Sequence, residues 1–270
     1  MGAWNAMTFE GKDNLLRVVR QEAEGMFALA EQPGAWEAPT ACAKWQVRDV
    51  IGHLVDVTEG YFAAFDNARG GVAAPDPFGL PVMGERLDER AQAFRSVSQH
   101  EMLARLRKDF DAMMEIAAGL DADEWSNLTV THPYMGPLPA FFYPTAQLMD
   151  YGVHSWDIRQ GTGRAHALSA EVGDLLAPFM LILWQSTTTG VQAEPLEIGI
   201  RLGGPNGADY RITLGPDGFG YENAPIDDLP TVIEFDPGSF VLTTFGRINA
   251  GAIRGDRAVA DRFLNSFFRI

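Results

Sequence analysis

Near Pro195 the chain changes texture, and that change limits the architectures open to its 270 residues more than any other feature. Upstream, long segments carry apolar residues at three- and four-residue steps. Downstream, short runs rich in β-branched and aromatic residues alternate with Gly, Pro, Asn and Asp. Such patterning predicts a two-domain α+β protein, with a helical bundle over 1–194 and a small α+β unit over 195–270. A unit of the second size gains from packing on a larger neighbour.

Within the first part, the spacing predicts a helix from about Asp13 to about Glu31, burying Leu15, Leu16, Val19, Ala23, Met26, Phe27 and Ala30. The clearest stripe follows, where Val47, Val50, Ile51, Leu54, Thr58, Tyr61, Phe62 and Phe65 share one helical face. Residues 68–83, rich in Gly and Pro, read as a loop. A helix over about Glu85 to Gly119 is expected to break near Ser96–Ser98, where propensity falls. Residues 120–144 read as a long connection, of a length that is uncommon unless it shapes a site. Two helices complete the set, from about Thr145 to Gln160 and from about Ser169, an N-cap, to Thr188. In the tail, Leu196–Leu202, Tyr210–Leu214 and Thr231–Phe235 read as strands, and Ser239–Gly246 and Arg257–Phe268 as helices.

Charge narrows the partners. Lys plus Arg number 21 against 36 Asp plus Glu, a net charge of −15. Such an excess repels phosphate backbones and anionic lipid surfaces, so neither nucleic acid nor a membrane is expected as partner. Only one cysteine is present, Cys42, which excludes an intrachain disulfide and a cysteine-built metal site. The first twenty residues lack a signal-peptide core, and the longest apolar run, Leu175–Trp184, contains Pro178 and is too short for a bilayer. The expectation is a cytoplasmic protein.

Five histidines are available for chemistry, at 53, 100, 132, 154 and 166. On the helix expected over 145–160, Asp150 lies four residues before His154, and Asp157 falls on the same line. Residues four apart share a helical face, so an Asp–His pair at that spacing can reach one metal ion. The same stripe is also what the solvated face of an amphipathic helix looks like. The bulky apolar neighbours Tyr151, Val153, Trp156 and Ile158 argue that it points inward. His53 stands at the edge of the stripe that includes Val50, Val57 and Tyr61, where a hydrogen-bonded core histidine is the alternative reading. Cys42 reads as a single buried cysteine, with a nucleophile as the alternative, His132 as a surface histidine, with a place at the pocket mouth as the alternative, and His100 and His166 as exposed.

The run KWQVRDVIGHL, followed by LMDYGVHSWDIRQGTG, resembles the mycothiol-dependent maleylpyruvate isomerase family. In the tail, FGRINAGAIRGDRAVADRF is similar to the family's recurring Gly-Arg and Gly-Asp segments. The resemblance implies a DinB-like up-down four-helix bundle carrying a small C-terminal domain of sterol-carrier-like α+β type. It implies that His53, Asp150 and His154 hold one divalent metal. It also implies that Asp157 is a site residue contacting thiol or substrate, and that Arg247 reaches over from the small domain. The family usually has glutamate where this chain has Asp150. The shorter side chain requires either a closer approach of the helix or an intervening water.

Two imidazoles and a carboxylate suit zinc, with Fe, Co, Ni and Mn as alternatives. Three protein ligands leave a position open for a water or a thiol, as catalytic zinc sites do. The resemblance therefore implies an isomerase or S-transferase that uses mycothiol or a similar thiol on a small unsaturated or electrophilic acid. A hydrolase working through bound hydroxide and a non-catalytic small-molecule binder are the competing readings. Oligomeric state leaves no mark in the pattern.

Overall fold

A computed structural model describes residues 5–164, 166–189 and 194–267. The chain forms two compact units, one built from Ala6–Ala167 and the other from Leu168 onward. Among the described residues no helix is long and apolar enough to cross a membrane.

The first unit is the bundle. Helix α1 (Lys12–Ala30) buries the seven apolar residues expected of it. Its first residue, Lys12, is buried and donates from Nζ to the carbonyls of Ala118, at 2.6 Å, and Leu120. That contact supplies a cation to the C-terminal end of α4 (Gln99–Gly119), where the macrodipole favours one. Helix α2 (Val47–Gly70) starts where Asp49 Oδ2 accepts the Gln46 backbone N–H at 2.8 Å. Asp49 is fully buried and takes both Nε and Nη2 of Arg95 at 2.8 Å, fixing α2 to the segment ahead of α4. The expected break in the third helix is real. Helix α3 (Met83–Ala93) ends before it, and α4 restarts at Ser98, whose hydroxyl accepts from Glu101 N.

Residues 120–144 are not an unstructured connection. They hold a short helix α5 (Ala122–Asn127) and a hairpin of β1 (Thr129–His132) with β2 (Gly136–Pro139). The pairing sets Thr129 opposite Pro139 and His132 opposite Gly136. Prolines 137 and 139 disguise β2, because proline is tolerated only on strands with a free edge, as both strands of a hairpin have. The closing turn uses Gly136 at φ +83°, a conformation that suits glycine. Helix α6 (Phe142–Gly161) follows, with Pro144 in the first turn, where its missing N–H costs no helical bond. It begins slightly earlier than the expected Thr145 for that reason.

The second unit contains α7 (Ala170–Thr187) and a five-stranded sheet. The strands are β3 (Leu196–Leu202), β4 (Asp209–Gly215), β5 (Gly218–Asn223), β6 (Val232–Phe235) and β7 (Ala252–Arg254). Their order is β5-β4-β3-β6-β7, with β3 and β6 parallel and the other pairs antiparallel. Helices α8 (Pro237–Thr244) and α9 (Arg257–Leu264) complete it. Helix α9 ends before the expected Phe268, which lies outside the described residues. The units divide between Ala167 and Leu168, so α7 shares its core with the sheet rather than with the bundle. Trp184 of α7 packs edge-on against Phe240 of α8 at 4.8 Å and Phe263 of α9 at 5.2 Å. The change of texture near Pro195, read as a boundary at 194/195, marks where strands begin and not where the core changes.

Candidate metal centre

Helices α2 and α6 meet along a seam whose layers run in opposite order on the two helices. His53 lies beside Asp150 and His154, Gln147 Nε2 donates to Thr58 Oγ1 at 3.2 Å, and the rings of Tyr61 and Tyr143 cross at 4.9 Å. The two helices are therefore antiparallel. Helix α6 is buried on nearly every face, from Phe142 to Ile158, so its polar stripe points inward.

At one end of the seam the three implied metal ligands converge. One donor atom from each of His53, Asp150 and His154 lies within 4.8 Å of the others. The histidine rings cross edge-on at 5.2 Å. Both are buried and Asp150 is partly exposed. His53 Nε2 is 3.7 Å from Asp150 Oδ1, too long for a hydrogen bond. Two ligands at about 2.0–2.1 Å on one tetrahedral ion stand roughly 3.3 Å apart, so the pair needs to close by only a few tenths of an ångström. The donor set and its spacing fit a divalent ion. One atom departs from the usual pattern, for among the described residues His53 Nδ1 is buried without a hydrogen-bond partner.

Asp157 completes the arrangement from one turn further along α6. It is fully buried, and its Oδ2 is 2.8 Å from His154 Nδ1. A carboxylate there assigns the proton to Nδ1 and leaves Nε2 with a free pair, the form a metal takes. Burial lowers the pKa of His154, nearby His53 lowers it further, and the Asp157 hydrogen bond and charge pull the other way. The same Oδ2 accepts from Cys42 Sγ at 3.3 Å. Cys42 is half-buried and reaches the site through Asp157, although no histidine adjoins it in sequence.

The loop carrying Cys42 is clamped to α6. Ala41 N donates to Asp157 O at 2.9 Å, and a Cβ at Gly161 would stand 2.3 Å from Pro39 O. The loop delivers Trp45, whose ring is 5.0 Å from that of His53 and 5.6 Å from that of His154. Trp45 is held in turn by its Nε1 donating to Asp88 Oδ1 at 2.8 Å. An aromatic wall on the histidines keeps bulk water from that side.

This fold has relatives. Residues 19–159 match the family model described as the mycothiol maleylpyruvate isomerase N-terminal domain. The chain belongs to that family. Among solved structures, a mycothiol-dependent maleylpyruvate isomerase aligns with a TM-score of 0.60 at 14% identity, covering 91% of this chain and 95% of its own. A mutant of mycothiol-dependent maleylpyruvate isomerase aligns with the same score and coverage at 13% identity. At these identities the likeness is one of fold. No match is found among curated proteins.

The remaining histidines and Arg247 are placed as follows. His100 is exposed and His166 half-buried. His132 is not a surface residue. It is buried at the end of β1, ringed by Tyr61, Tyr134 and Phe142 at 5.6–6.4 Å. Arg247 belongs to the second unit, just after α8, where its backbone N–H closes on Leu242 O and its guanidinium donates to Phe245 O at 3.0 Å. Sequence reasoning missed Trp45 as a wall, Cys42 as a partner of Asp157 and His132 as a buried group. Of these only Trp45 carried a signal, its place in the KWQVRDVIGHL run.

Proposed function

We propose that this protein is a metal-dependent isomerase or S-transferase that uses mycothiol or a similar small thiol on an unsaturated or electrophilic acid. The observation that carries the reading is the convergence of His53 with Asp150 and His154 from two antiparallel helices. These three residues would hold one divalent ion, zinc by the ligand preference. When bound, that ion supplies a Lewis-acid position that favours a thiol in its nucleophilic thiolate form.

The chain's own residues orient and enclose. Asp157 holds the Nδ1 proton of His154 and so fixes which nitrogen faces the site. Trp45 screens the two imidazoles from water. A thiolate delivered here adds to the activated double bond of a cis-unsaturated acid, giving a single bond that rotates. Elimination then returns the thiolate and leaves the trans isomer. In this reading Asp157 is also the residue that contacts thiol or substrate.

Metal content per chain tests the reading, measured beside His154→Ala and His154→Gln, with circular dichroism to confirm that each variant is folded. About one equivalent in the parent, lost in both variants, is the expected result. Turnover of maleylpyruvate-like acids should then require added thiol. Turnover of an ester or amide without thiol would favour the hydrolase instead. A parent that takes up no metal when zinc is supplied would overturn the proposal.

A further inference from the structure

His132 is held in one tautomer by its own turn. Its Nδ1 accepts the backbone N–H of Tyr134 at 3.3 Å and of Met135 at 3.2 Å. With that lone pair engaged, the neutral ring carries its proton on Nε2. Among the described residues Nε2–H meets no acceptor, yet only 9% of the residue is exposed. Nε2 is also absent from the sealed polar atoms of the interior, so it keeps some accessible surface. A donor in so buried a ring, with no acceptor from the protein, is open to completion by a ligand or water.

The ring lies toward the other end of the α2/α6 seam from His53. Its centroid is 6.4 Å from Tyr61, which crosses Tyr143 at 4.9 Å. The Asp150 carboxylate acts electrostatically on both His132 and Tyr61, so this layer and the ligand layer share one electrostatic environment.

We propose that His132 recognises the substrate, donating from Nε2–H to a carboxylate oxygen of a small acid bound along the seam next to Asp150. This rests on the reading of the metal centre given above. A neutral donor suits the place, since it satisfies an anionic oxygen without burying a second cation. Burial lowers the pKa of this ring to about 4, against a smaller upward pull from Asp150, which keeps it in the neutral form.

The test uses the full chain labelled with 15N-histidine, titrated with zinc and then with maleate as the probe acid. Shifts of His53 and His154 on zinc addition report the metal centre separately from His132. The expected result is an Nε2–H tautomer for His132 and movement of that N–H signal with maleate. Two variants separate recognition from structure. His132→Asn keeps an acceptor for the Tyr134 and Met135 N–H groups but lacks the far donor, and should weaken maleate binding about tenfold. His132→Gln places an amide donor near the Nε2 position and should recover most of the affinity. The reverse order, with Asn like the parent and Gln weak, would show a structural role alone and overturn the proposal. So would a His132 signal that maleate leaves unmoved, or a zinc-loaded parent that does not bind maleate. If zinc is not taken up, the metal reading fails on the His53 and His154 signals. Maleate added to the zinc-free protein then decides the His132 proposal by the same N–H movement.

Discussion

Acid should destabilise the bundle through His132 by an amount that can be worked out beforehand. In the unfolded chain its imidazole titrates near 6.5, and in the fold burial lowers that to about 4. Protonation would also set a second N–H against the two backbone N–H groups that Nδ1 now accepts. Between these two values the unfolded chain binds more proton than the folded one, so stability rises with pH. The contribution is fully present above the unfolded value and is lost as pH falls toward the folded one. Near pH 5 the loss is about 2 kcal/mol, roughly thirtyfold in the folded-to-unfolded ratio, and near pH 7.5 it is close to zero. Asn at this position accepts the same turn donors and does not titrate. Urea unfolding followed by tryptophan fluorescence, at both pH values, in the parent and His132→Asn, isolates the term. Every other titrating group cancels in the double difference. The parent's midpoint should fall further than the variant's by about 1 M urea for a slope of about 2 kcal/mol/M. A double difference below about 0.5 kcal/mol would mean that the ring is protonated in the fold as easily as outside it.

Asp157→Asn should keep the fold and lower zinc affinity about 10- to 100-fold, measured by chelator competition, because the amide no longer holds His154 Nδ1–H as a carboxylate does. Unchanged affinity would remove Asp157 from the site. Gly161→Ala drives a methyl into the backbone of Pro39 and Thr40, at 2.3 Å from each, and should cost about 1–3 kcal/mol in urea unfolding. In Gly25→Ala the new methyl meets nothing within 4 Å inside α1, and about 0.5–1 kcal/mol of stabilisation is expected. Equal effects from the two would refute the clamping of the loop onto α6.

How much was legible in the sequence depended on how many sides of an element were buried. Helix α2 announced itself because one face is buried and the other is not, so Val47 to Phe65 recur at helical steps. Helix α6 is buried almost all round, and no periodicity could say that Asp150, His154 and Asp157 face inward. The pairing of His53 with residues about a hundred positions later lies in the packing of two helices, which neither segment records. It reached the sequence reading only through a family resemblance. The hairpin of β1 and β2 was hidden by its prolines, and the burial of His132 with it, since that burial follows from a turn. Strands β5 and β7 were hidden by glycines at 218, 220, 251 and 255, which read as turn residues. Helix α7 looks like a bundle helix because its apolar face is as continuous as theirs. That the face packs on Phe240 and Phe263 is a tertiary fact.

Asp150 stands where the sequence resemblance implies a glutamate, and the geometry bears on how a shorter carboxylate would serve. A water between Asp150 and a metal would add roughly 2.7 Å to the reach of that ligand, about the length of a hydrogen bond. The distance from Asp150 Oδ1 to His53 Nε2 is 3.7 Å, only a few tenths above what direct ligation of one ion by both atoms requires. In the proposed centre the approach of the two helices would make up for the missing methylene, and direct ligation would need no bridging water. The thinness of the seam supports this, for the next layer is a direct contact between Gln147 and Thr58 at 3.2 Å, with neither residue exposed. A seam drawn close at that layer would leave little width for a ligand beside the proposed centre.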